Sequence, residues 1–110
     1  MKRLLLCLAL VAAGGPGLAA DYTQVQPVLV KNGCESCHGL ATRVNGPSWL
    51  EIANRYINKP DARSYLEGKI RNGSANVWGA AAMPPSKNVN ELDMKIMVEW
   101  LASGAGATSQ

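Results

Sequence analysis

The chain is most tightly constrained at residues 34–38, where "CESCH" places two cysteines three residues apart and a histidine directly after them. His38 is the only histidine in the sequence, so whatever Cys34 and Cys37 do, they do it beside an imidazole. A disulfide between them would close a loop too short to remove much entropy from the unfolded chain. Stability is therefore not the purpose of the pair, and a chemical role must be sought.

The compartment follows from the other end of the sequence. "MKRLLLCLALVAAGGPGLAA" runs from Lys2 and Arg3 through an apolar stretch, Leu4 to Ala13, to a break at Gly14-Gly15-Pro16 and a small-residue end. That is the order of a secretory signal peptide, and the apolar run is too short to span a bilayer. Cleavage after Ala19 leaves small residues, Gly17 and Ala19, at −3 and −1 and is preferred to cleavage after Ala20. Cys7 leaves with the peptide, and the leucines before it do not match a lipoprotein signal. The expected divisions are a signal peptide over 1–19, one domain over 20–103 and a flexible small-residue tail over 104–110. Export implies a periplasmic protein with no stable membrane insertion after cleavage.

The exported part, about ninety residues, is one small domain with a thin core. Removing Lys2 and Arg3 from the eleven basic residues leaves nine, against eight Asp and Glu. The basic residues are scattered, so there is no nucleic-acid footprint. Three Trp, three Tyr and no Phe make a sparse aromatic set. A domain of this size and content needs a crosslink, a metal or a large buried cofactor.

The hydrophobic pattern is helical throughout, with no repeat and no strand. Val25, Val28 and Leu29 recur at helical spacing until Gly33 ends the run; Pro27 suits a first turn, which predicts a short helix. A second helix is predicted from Pro47-Ser48 onward, with Leu50, Ile52, Ala53 and Tyr56 partly inward. Asp61 is placed to cap a third, "ARSYLEGKIRN", which Gly73 ends in a left-handed conformation. Asn90 opens a fourth, "ELDMKIMVEWLA", with Asp93 placed for a capping-box variant and Leu92, Met97, Trp100 and Leu101 inward. Between Gly73 and Asn88 there is no sustained period, and Pro84-Pro85 excludes helix. A loop of about fifteen residues in a small domain points to function.

Three chemistries suit Cys34, Cys37 and His38. Structural zinc needs four ligands, and the exported chain has only these three Cys and His residues. A thioredoxin-like dithiol expects βαβ surroundings, which are absent. Attachment of a c-type haem through C-x-x-C-H is the strongest of the three: one turn brings both thiols to the vinyl groups, and His38 follows as the proximal ligand. Met94 and Met97 fall inside the amphipathic last helix, where core filling explains them. Met83 instead lies in the long loop, between Ala80-Ala81-Ala82 and Pro84-Pro85, where small residues admit a flat macrocycle and prolines stiffen the backbone. It is the candidate sixth ligand.

With these residues assembled, "CESCH", "NGP", "IRNGSANVWG" and "AMPP" resemble, in order and approximate spacing, the small bacterial monohaem class I cytochromes c. These are the short-loop type that donates electrons to nitrite reductase and other terminal oxidoreductases. The resemblance covers essentially all of 21–102 and implies an all-α class I cytochrome c fold, four to five short helices around one covalent haem c and its iron. It implies thioethers at Cys34 and Cys37, axial ligands at His38 and Met83, and a Pro47 carbonyl that accepts the His38 Nδ1–H. It further implies that the Trp78 indole donates to a haem propionate and that Lys69 stands where relatives often carry an arginine near the propionates. The charge is kept there, but the bidentate fork is lost. Ser86 stands where relatives often place an asparagine beside the methionine sulfur. The first and last helices should cross, with Gly33 making room for Trp100 or a neighbour.

The implied function is one-electron transfer, not catalysis, by a monomer that docks transiently with redox partner proteins at the haem edge. Lys31, Lys69 and Lys87 are expected around that rim. The alternatives are a haem-bearing subunit of a larger periplasmic oxidoreductase, or a haem sensor or enzyme with a labile Met83.

Overall fold

The computed structural model describes residues 20–106; the signal segment over 1–19 lies outside the described residues. Asp21 starts α1 (Tyr22–Lys31) with a capping box: its carboxylate accepts the Gln24 N–H at 3.2 Å, and the Gln24 side chain accepts the Asp21 N–H at 3.0 Å. Pro27 sits inside this helix rather than in its first turn. It has no N–H to give the Thr23 carbonyl, yet α1 continues to Lys31, longer than the pattern predicted. Gly33 then turns at φ +75° into a single 3-10 turn, Cys34–Ser36. After a loop come α2 (Trp49–Tyr56), α3 (Ala62–Asn72) and α4 (Glu91–Ala102). Among the described residues there is no strand, only isolated bridges between His38 and Arg43 and between Ser74 and Met83. The expected all-α architecture is therefore the observed one.

α4 is the hub, in contact with each of the other three helices. Its buried face carries Asp93, Met94, Met97, Val98, Trp100 and Leu101. These pack against Val25 and Leu29 of α1, Ile52, Ala53 and Tyr56 of α2, and Leu66 of α3 in one continuous core. The expected inward position of Leu92 is wrong: it is 67% exposed, while Asp93 is 6% exposed. Asn90 does cap the helix, accepting the Asp93 N–H at 2.8 Å. The Asp93 carboxylate, however, does not reach back as a capping box would. It bonds Asn32 Nδ2 and Lys31 Nζ, each at 3.0 Å, at the end of α1. That cross-helix bond sets the rotation of α4 and turns Leu92 to water.

Two glycine expectations also change. Gly33 gives no close approach to Trp100, since a Cβ there would meet nothing within 4 Å; its role is the left-handed turn. Gly73 is more than a helix stop. It sits at φ +75° and ψ 179°, and a Cβ on it would lie 2.5 Å from the Met83 carbonyl oxygen. Asp61 precedes α3 without a side-chain cap.

At its far end α4 closes in a Schellman motif, with Ala105 N–H to Trp100 O at 2.7 Å and Gly104 N–H to Leu101 O at 3.1 Å. Residues 104–106, expected to open the flexible tail, are buried; residues 107–110 lie outside the described set. A Cβ on Gly104 would press to 2.8 Å from Ile57 Cδ1, so this end of the helix is packed.

The Asn32 bond, then the Lys31 bond and charge, holds the Asp93 carboxyl below its ordinary value of 3.8. A depressed folded pKa contributes stability above the unfolded pKa and loses it as pH falls through the folded one. We therefore expect Asp93→Asn to lower the thermal midpoint by a few degrees at pH 7. The gap should close as pH drops below the ordinary aspartate value, measured by circular dichroism melts of the holoprotein. An unchanged gap at acid pH would remove the ion pair from this account.

Candidate functional site

The 3-10 turn and the loop after it build one wall of a cleft. Cys37 N–H and His38 N–H both donate to the Cys34 carbonyl, at 3.2 and 3.1 Å, so the turn winds once and delivers the imidazole inward. Cys34 and Cys37 are free thiols, each partly exposed on the cleft. Burial, then the charge of Glu35, raises the Cys34 thiol above its ordinary pKa.

His38 is buried and fixed on several sides. Its Nδ1 meets the Pro47 carbonyl at 2.6 Å. A carbonyl only accepts, so Nδ1 carries the proton and Nε2 is left with its lone pair. Gly46 runs so close to the ring that a Cβ would sit 2.8 Å from His38 Cε1. Trp49 stacks on the imidazole with centroids 4.5 Å apart. Gly46 N–H donates to the Cys37 carbonyl at 2.9 Å and Trp49 N–H to the Gly39 carbonyl at 2.9 Å, closing the loop round the histidine. Ser48 then caps α2 in a capping box with Glu51, the Glu51 N–H donating to Ser48 Oγ at 3.2 Å and Ser48 N–H to Glu51 Oε2 at 2.8 Å.

The long loop forms the cleft's other wall and brings Met83 to it. Met83 exchanges two backbone bonds with Ser74, at 3.0 and 2.8 Å. Beyond it, Ser86 N–H donates to the Ile70 carbonyl at 2.9 Å, and Arg71 Nη1 donates to the carbonyls of Val89 and Lys87 at 2.6 and 3.2 Å. The loop is thus paired at the methionine with Ser74, just past the end of α3, and bonded to α3 itself beyond the methionine. Met97 touches the cleft floor but belongs to the core of α4, and Met94 lies away from the cleft.

The remaining expected residues are also brought together. Trp78 and Lys69 line the cleft. Arg55 stacks over the Trp78 ring at 4.2 Å, with Arg43 at 5.9 Å. Lys69 lies over the Tyr65 ring at 5.2 Å. Of the three lysines expected around the rim, Lys69 lines the cleft, while Lys31 and Lys87 gather beside it next to Asn32 and Ser86, Lys31 bonded to Asp93 and Lys87 to Asn72 Oδ1 at 3.0 Å. Trp49, Gly46, Arg43 and Arg55 escaped the sequence reading. A large aromatic two residues after Pro47 could have signalled Trp49; nothing local marks the arginines as partners of Trp78.

The donor set and shape fit a haem. A cleft lined by two thiols, one imidazole with its lone pair free and, on the facing loop, the Met83 thioether matches the group's attachment and axial chemistry. Its walls are otherwise largely apolar, including Leu29, Ile52, Leu66, Ile70 and Leu101.

Comparison with known proteins agrees. The family model described as Cytochrome c matches residues 25–105. Cytochrome c-552 of Nitrosomonas europaea is 45% identical over 85 residues, covering 76% of this chain and 82% of the relative. Cytochrome c-551 of Pseudomonas aeruginosa is 32% identical over 97 residues, covering 87% of this chain and 92% of the relative. The crystal structure of wild-type Nitrosomonas europaea cytochrome c552 superposes with a TM-score of 0.68 at 42% identity, covering 72% of this chain and 98% of that one. On the matched span and the C-x-x-C-H seat together, this chain belongs to the cytochrome c family, electron-transfer proteins with one covalently attached haem c.

Proposed function

We propose that the protein is a monomeric periplasmic electron carrier whose haem is tied to Cys34 and Cys37 and held axially by His38 and Met83. The observation that carries this reading is the 2.6 Å contact between His38 Nδ1 and the Pro47 carbonyl, which leaves Nε2 as the ligating atom. Such second-shell bonds fix ring orientation and raise ligand basicity. Bound haem supplies a one-electron iron couple.

The chain's residues tune and shield that couple. The Met83 thioether favours the ferrous state and so raises the potential. With His38 and Met83 both holding the iron, no coordination site would be left for substrate, and outer-sphere transfer would be the remaining chemistry. Trp78 and Lys69 line the cleft, where they would serve as donors for the propionates. Arg55 on the face of Trp78 holds the indole in place and adds positive charge. Redox partners dock at the small-residue rim, Ala81, Ala82 and Pro84 beside Cys34, where a small contact area suits rapid release. The signal-like residues 1–19 support export. Among the described residues no helix is long and apolar enough to cross a membrane.

Three methionine variants test the ligand set. Met83→Ala should abolish the methionine–iron charge-transfer band, lower the reduction potential and let carbon monoxide bind the ferrous protein at neutral pH. Met94→Leu and Met97→Leu should keep the band and cost less than about 1.5 kcal/mol each as near-isosteric core changes. A band that survives Met83→Ala, or disappears in Met94→Leu, would refute the assignment. Carbon monoxide binding by the wild type would favour a sensor, and co-elution with a larger oxidoreductase from native extracts would favour a subunit.

Gly73→Ala should destabilise the holoprotein by about 1–3 kcal/mol, since a non-glycine residue at this backbone conformation is strained. Its Cβ also strikes the Met83 carbonyl, so the charge-transfer band should weaken with it. A variant with normal melting and an intact band would show that the Gly73–Met83 crossing does not position the sulfur.

A further inference from the structure

The ring contacts of this protein run in a line from the cleft to the surface. His38 stacks on Trp49 at 4.5 Å between centroids, Trp49 meets Trp100 edge-on at 6.0 Å, and Trp100 stacks on Tyr22 at 6.0 Å. Both tryptophans are buried, while Tyr22 is half-buried at the outer end. Its hydroxyl donates to Glu35 Oε1 at 2.5 Å.

Tryptophan and tyrosine are the side chains most easily oxidised by one electron, and they differ in what happens to the proton. The Nε1–H groups of Trp49 and Trp100 are buried with no hydrogen-bond partner among the described residues. An oxidised indole with nowhere to send its proton stays a radical cation, so the hole remains mobile. A phenol releases its proton on oxidation and needs an acceptor. Tyr22 has a carboxylate in place, whereas Tyr56 and Tyr65 face each other across 5.1 Å. Burial, then Glu35, pushes the Tyr22 phenol up to about 12, so it keeps its proton until it is oxidised.

We infer that Trp49, Trp100 and Tyr22 form an oxidation relay that carries a hole away from the His38 side of the haem seat and discharges it at Tyr22, whose phenolic proton passes to Glu35. This rests on His38 being the proximal ligand. The oxidant is hydrogen peroxide, admitted in the minor state in which the Met83 sulfur has let go, and the relay spares the haem from oxidising itself. In each passage one electron leaves Tyr22 to fill the hole on Trp100. The O–H bond breaks, and the products are a neutral phenoxyl radical and a protonated Glu35. A small enediol reductant of the ascorbate class gives Tyr22 one electron, and Glu35 returns its proton. Two passages supply the two electrons that, with two protons from solvent, reduce one peroxide to two waters.

The test treats ferric holoprotein with excess peroxide and a nitroso spin trap, then follows haem bleaching and maps the trapped peptide. Wild type should give its main adduct at Tyr22. Trp100→Phe should lose that adduct although Tyr22 is present, and should bleach several-fold faster. Glu35→Gln, a half-buried change that leaves the core packing alone, should also reduce the adduct and speed bleaching, so the test survives if Trp100→Phe folds poorly. Bleaching of wild type with no Tyr22 adduct, or an adduct and bleaching rate unchanged in Glu35→Gln, would overturn the relay and leave the haem assignment standing. A preparation with no covalent haem before peroxide is added would remove both.

Discussion

The bond from His38 Nδ1–H to the Pro47 carbonyl is the contact on which the rest of the site depends. It spans nine residues, so the intervening loop must close on itself. Gly46 permits the closure because any side chain there would enter the imidazole. Trp49 covers the ring's face, and the Ser48 cap starts α2 immediately after the bonded carbonyl. One hydrogen bond thus fixes the tautomer of the histidine, the path of the loop and the start of a helix.

The second wall obeys different physics. No helix could run on through Met83, because Pro84 and Pro85 follow it. The loop is held by backbone pairing to Ser74, the glycine crossing at Gly73 and the Arg71 bonds further on. α4 supports both walls from behind, with Trp100 6.0 Å from Trp49 and Met97 reaching the cleft floor. A core without phenylalanine therefore converges on the space a cofactor fills. The polypeptide and the haem share one interior.

Much of this was legible in the sequence because the signals were local. C-x-x-C-H, the Asn90 cap, the glycines at 33 and 73 and a methionine between alanines and prolines each act within a few residues. Pro27 inside α1 and the uncapped Asp61 were local misreadings; the larger ones were long-range. Leu92 fits an inward helical period, but Asp93 bonds the end of α1 sixty-one residues away in sequence and rotates it outward. Trp49 under His38 and Arg55 on Trp78 are likewise meetings of separate segments. Lys31 and Lys87 stand beside the cleft rather than in it, bonded to Asp93 and Asn72. Periodicity gives a helix its faces; only tertiary partners decide which face turns inward.

The central claim is that this cleft is the covalent seat of a haem, and the mass of the intact exported protein tests it most directly. Under denaturing conditions electrospray should show one species, the chain starting at Ala20 or Asp21 plus a single haem, with no free thiol to alkylate. A mass equal to the chain alone, with Cys34 and Cys37 alkylated or joined in a disulfide, would contradict the account.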